Sequence, residues 1–81
     1  MHHAEKMILY YALNLFLLSE HEYAQHLILN YGLKINGCYL FNANLKRILG
    51  VIYACKGEST KAIEIFKEAK DLFKFINSEY G

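Results

Sequence analysis

Apolar residues recur at spacings of three and four along the C-terminal end of the chain: Ala62, Ile65, Phe66, Ala69, Leu72, Phe73 and Ile76. Lys61, Glu64, Lys67, Glu68, Lys70 and Asp71 fill the positions between them, so the pattern predicts a helix over 59–77 with one buried and one solvated face. The stretch before it, "CKGEST", reads as a stop followed by a start. Gly57 suits the left-handed position that closes a helix, and Ser59 suits the cap of the next one. A further helical run over 41–56 precedes this turn, and two helices joined so tightly lie antiparallel and in contact.

The first half follows the same plan. "LLSEHEYAQHLI" supplies the turn, with Ser19 in the place of Gly57, and Ala24, Leu27, Ile28 and Tyr31 form the next buried stripe. Asn36-Gly37 closes this second helix and "CYLF" leads into the third. The expectation is therefore an all-α chain of four helices over 5–18, 22–35, 41–56 and 59–77. They form one domain across 1–81, built from two antiparallel hairpins, about 5–36 and 41–77, stacked on each other.

Sliding the chain by 38 residues sets the first hairpin on the second: Tyr11-Ala12 falls on Leu49-Gly50, Leu15 on Tyr53, Ala24 on Ala62, Leu27-Ile28 on Ile65-Phe66 and Tyr31 on Ala69. Small residues coincide with small ones at both helix crossings. Glycine inside a helix costs about 1 kcal/mol relative to alanine, which is tolerated where a neighbouring helix comes too close for a side chain. Gly50 is accordingly expected to meet Ala62 at the crossing of the third and fourth helices, as Ala12 meets Ala24 in the first hairpin.

Leu49-Gly50-x-x-Tyr53, then Ala62, Phe66 and Ala69, resembles the tetratricopeptide signature of small and large residues, with Lys74 where that family often has proline. The first hairpin matches in pattern, with Ala12 for the glycine and Ile28 for the phenylalanine. The 38-residue offset is about one helical turn longer than the usual 34. With "LILNYGLKIN" and "LGVIYACKGESTKAIEIFKEAKDLFKFI" it is similar to the repeat domain of the PlcR- and Rgg-like peptide-sensing regulators of Gram-positive bacteria. In that family a DNA-binding helix-turn-helix precedes the repeats, and a signalling peptide lies in their concave groove. The resemblance implies a tetratricopeptide-like solenoid fragment, either the peptide-sensing part or a small relative of such a regulator.

Composition narrows the partners. A net charge of +1 provides no broad electrostatic footprint for nucleic acid or for an anionic membrane, so recognition rests on shape and apolar contact. Cys38 and Cys55 have neither zinc nor redox spacing and are too few for a disulfide framework; reduced thiols in a cytoplasmic protein are expected. The most apolar run, Met7 to Leu18, is shorter than the roughly 20 residues that span a bilayer, and it lacks the flanks of a signal peptide.

No constellation points to catalysis, a metal or a cofactor. His21 and His26 are five apart, on different sides of a helix, and so do not form an i, i+4 zinc pair. Cys55 lies in an apolar stretch and reads as a buried, inert thiol. Gly50 and Gly57 lie within and after a helix, with no preceding strand to make a phosphate loop. A non-enzymatic binding module is expected.

In tetratricopeptide arrays the first helix of each pair lines the concave surface. Carried over, that geometry selects Lys6, Leu9, Leu13 and Phe16 from the first hairpin and Asn44, Arg47, Val51 and Ala54 from the second. Asn44 suits peptide backbone amides, Arg47 and Lys6 an acidic group, and Leu13 with Phe16 an apolar side chain. Asn14, the one polar side chain within Met7–Leu18, is either a ligand or register contact or a satisfied core amide. Because that first helix is apolar around nearly its whole circumference, it is expected to need further cover. A homodimer or another protein's repeats would supply it. The competing expectation for the whole chain is structural: an oligomerisation unit, or an inhibitory adaptor that stacks its hairpins on a larger repeat protein.

Overall fold

The computed structural model describes residues 3–34 and 38–80, with the side chains of residues 3, 4, 79 and 80 left aside. The described residues are all-α: α1 spans His3–Leu17, α2 begins at His21–Leu27 and continues as a π-helical turn over Ile28–Gly32, α3 spans Tyr39–Cys55 and α4 spans Ser59–Tyr80. The expected closure at Asn36-Gly37 lies outside the described residues.

Both hairpins are closed by one turn, used twice. The N–H of Glu20 donates to Leu15 O (2.8 Å) and that of Ser19 to Phe16 O (3.0 Å); 38 residues on, Glu58 N–H donates to Tyr53 O (2.9 Å) and Gly57 N–H to Ala54 O (3.1 Å). This crossed pair of bonds satisfies the last carbonyls of α1 and α3 and requires a left-handed residue between them. Ser19 (φ 61°) and Gly57 (φ 79°) fill that place. The next helix then starts identically in each hairpin, with Ala24 N–H bonded to Glu20 O and Ala62 N–H to Glu58 O, both at 3.0 Å. Glu58 is thus the residue that precedes α4, and Ser59 is its first helical residue rather than its cap.

Pairs across the second hairpin run in opposite directions along the two helices. Tyr39 meets Phe75 edge-on with centroids 4.9 Å apart, Lys46 Nζ bonds Glu68 Oε1 at 2.9 Å, and Lys61 lies over the Tyr53 ring at 5.7 Å. At Gly50 the helices approach so closely that an added Cβ would stand 2.5 Å from Cε1 of Phe66. The atoms that fill the space above this glycine belong to the Phe66 ring, while Ala62 is buried one turn earlier in α4.

α3 is the central helix. It packs along α4 on one side and against α1 and α2 on the other, whereas among the described residues α4 packs on α3 alone. Phe41, Leu45, Ile48, Leu49 and Ile52 therefore form the middle of the core, joined by Ala12, Ala24 and Ile28. Ile52 is the last buried residue of α3; Cys55, one turn further on, is beyond the packed region and exposed, contrary to the buried thiol expected there.

The π turn changes the face of α2. Wider than an α turn, it advances the buried stripe by one residue, so that Gly32 is buried and Tyr31, expected inside, is exposed and edge-on to His26 at 5.8 Å. Gly32 wedges between α1 and α3: a Cβ there would lie 2.7 Å from Leu45 Cδ1 and 3.4 Å from Ile8 Cγ2.

Two polar ties hold the hairpins in register. Buried Glu5 accepts from the backbone N–H of Cys38 (3.4 Å) and from its thiol (3.5 Å), while the Cys38 sulfur accepts from Phe41 N–H and caps α3. At the opposite end Lys56, in the α3–α4 turn, reaches back to Glu22 (2.6 Å) and Gln25 (2.8 Å) of α2.

Candidate functional site

α1 and α3 run side by side in the same direction, so residues 38 apart in the chain face each other across the seam between them. That seam opens into a groove of about 360 Å³ lined by Lys6, Leu9, Tyr10, Leu13, Asn44, Arg47 and Ile48. Lys6 and Asn44, Leu9 and Arg47, and Tyr10 and Ile48 are each related by the 38-residue offset. The groove is therefore built twice from one set of positions, once on each first helix.

Five of the eight residues selected from the sequence converge here: Lys6, Leu9, Leu13, Asn44 and Arg47. Val51 and Ala54 continue the strip of α3 that carries Asn44 and Arg47, one and two turns beyond the groove wall, with Val51 half-buried and Ala54 exposed. Phe16 is drawn away from the groove, packing against the core and stacking on His21 with ring centroids 5.5 Å apart. Tyr10 and Ile48 were not selected. Their equivalence under the offset was the signal available for both, and Ile48 alone of the two also belongs to the core.

The lining is chemically asymmetric. Lys6 and Arg47 bring two cations, and no carboxylate stands among the lining residues. Leu9, Leu13 and Ile48 form an apolar floor, with the exposed Tyr10 at its edge. The Asn44 amide donates one N–H to Leu40 O of its own helix at 3.0 Å, which ties down the side chain and leaves its oxygen and second N–H available. Asn14 is exposed, on a different face of α1 from the groove, and so is not a core amide.

A second depression, about 450 Å³, lies between α3 and α4 and is lined by Tyr39, Lys46, Glu68, Asp71, Leu72 and Phe75. Lys46 and Glu68 already neutralise each other there.

Comparison with protein-family models, with curated proteins and with solved structures finds no match to this chain. No helix among the described residues is long and apolar enough to cross a membrane.

Proposed function

We propose that the chain is a non-enzymatic binding module whose α1–α3 groove takes a peptide or protein segment carrying a carboxylate beside an apolar residue. The observation that supports this reading most is the union, in one groove, of two cations and an apolar floor with no carboxylate in the lining. Arg47 presents a fork that pairs bidentately with a carboxylate, Lys6 adds a second charge, and Asn44 offers a donor and an acceptor to a peptide bond. Leu9, Leu13 and Ile48 receive the neighbouring apolar side chain. The volume lies at the lower end of the roughly 300–1,000 Å³ typical of ligand pockets and suits a few side chains, not a folded domain.

The tetratricopeptide-like reading is supported by the repeated turn and by the offset that relates the groove's two walls. In that reading the chain acts in the cytoplasm as the peptide-sensing part, or a small relative, of a peptide-responsive regulator, and its free thiols suit a reducing compartment.

The test is fluorescence polarisation against a library of short peptides that vary one acidic and one apolar position. A ligand from that library should lose at least about tenfold in affinity on Arg47→Ala, about 1.4 kcal/mol, with the melting temperature preserved because Arg47 is exposed. Equal affinity for the variant, or a preference for basic peptides, would remove the groove from the reading.

A further inference from the structure

The groove uses one edge of α1; most of the rest of its outer surface is a second apolar stripe. Met7, Tyr10, Tyr11, Asn14 and Leu17 of α1, with Leu18 just past its end, follow the spacing 7, 10, 11, 14, 17, 18 of a helix–helix seam, and all six are exposed. Tyr10, Leu17 and Leu18 are 68, 69 and 72% exposed. The opposite stripe, Ile8, Ala12 and Leu15, is already occupied by the core. Helix α1 is therefore patterned for two packing partners, and the structure supplies one.

We infer that the outer stripe of α1 packs against the same stripe of a second copy of this chain, antiparallel about a two-fold axis at Asn14. Three observations select this occupant. The stripe exposes on the order of 600 Å² of mostly apolar surface, close to the ~800 Å² that each partner gives to a standard stable interface. Asn14 stands near the middle of the stripe, and a two-fold axis there sets the amide against its own copy, so that each donates an N–H to the other's oxygen instead of being buried unpaired. The stripe's ends are oppositely charged, with Lys6 near the start of α1 and the exposed Glu20 in the turn that follows the helix, so antiparallel pairing brings each lysine toward the partner's glutamate end. A parallel pair would set lysine against lysine. The interface is isologous, so it closes at two copies. Tyr10 borders both the stripe and the groove, so each copy stands at the rim of the other's peptide site.

Sedimentation velocity on the full chain at micromolar concentration tests the inference. The expected species has twice the 9.4 kDa chain mass. Leu17→Glu should shift the dimerisation constant at least a hundredfold while helicity by circular dichroism stays unchanged, since Leu17 is mostly exposed and lies outside the core of the single chain. Lys6→Glu should weaken the dimer several-fold, and Lys6→Glu combined with Glu20→Lys should restore it. A wild-type chain that stays monomeric to about 100 μM, or a dimer indifferent to Leu17→Glu, would overturn the seam. A dimer that the double charge reversal fails to restore would overturn the antiparallel arrangement. Leu17→Glu leaves the groove lining intact, and Arg47→Ala leaves the stripe intact, so loss of dimer and loss of peptide binding are read separately.

Discussion

The two hairpins share their turn hydrogen bonds to within 0.1 Å in each equivalent pair, yet they are not equally well made. The second uses Gly57 at the left-handed position, an uninterrupted α4 and a charged outer face. The first uses Ser19 there, breaks α2 with a π turn, and turns an apolar stripe outward. A turn motif therefore sets the hairpin, while the faces around it set what the hairpin does. The second hairpin turns a charged face outward along α4, and the first leaves the apolar stripe of α1 exposed while sharing the groove with α3.

The difference can be broken at α3, which serves both hairpins. Phe41 is fully buried at the centre of the core, and Phe41→Ala should cost about 3–5 kcal/mol, read as a lower urea midpoint. If α3 belonged to the second hairpin alone, the loss would leave α1 and α2 packed; a single cooperative transition is expected instead.

The glycines sharpen the contrast. At Gly32 a Cβ collides with Leu45, which is wholly buried and has nowhere to move, so Gly32→Ala should cost about 1–3 kcal/mol. At Gly50 the colliding group is the Phe66 ring, 37% exposed and free to swing toward solvent. Gly50→Ala should therefore fall within about 1 kcal/mol of the parent, the helix-propensity gain offsetting the lost seat of the ring, while the bulkier Gly50→Leu should cost about 1–3 kcal/mol. Thermal melts of the three variants check that order.

Making the turns alike should make the hairpins more alike. Ser19→Gly relieves a non-glycine residue at φ 61° and should stabilise the chain by up to about 1 kcal/mol. Gly57→Ala should cost a similar amount, because it imposes the same strain on the second turn at φ 79°. Equal and opposite shifts in Tm are the expected signature.

The smallest effect concerns the tie between hairpins. The hydrogen bond from Lys56 to Glu22 raises the lysine pKa above its ordinary 10.5, against a smaller desolvation effect. A raised folded-state value means the contribution is complete below the unfolded pKa of 10.5 and is lost as pH rises through the raised value. Between the parent and Lys56→Met, the Tm difference should be constant through neutral pH and shrink at strongly alkaline pH.

What the sequence made legible follows from which residues have few alternatives. Gly57 and Ser19 announced both turns because a crossed hydrogen-bond pair needs a left-handed residue. The 3.6-residue period announced α3 and α4, and the offset brought five groove residues together. The π turn left no such mark: no residue type demands a wider turn, and its consequence, Gly32 inside and Tyr31 outside, depends on how α2 meets Leu45 in three dimensions. Cys55 fits the apolar stripe of α3 by spacing, but the core ends at Ile52, a limit set by the neighbours' length. Phe16 was lost to the groove because His21, in the next helix, stacks on it.

Titration of the isotopically labelled chain with an acidic, apolar peptide, followed by amide chemical shifts, tests the proposed groove most directly. Shifts concentrated at Lys6, Leu9, Tyr10, Leu13, Asn44, Arg47 and Ile48, on facing sides of α1 and α3, are the predicted result. Shifts confined to α4, or to the depression between Tyr39 and Phe75, would contradict it.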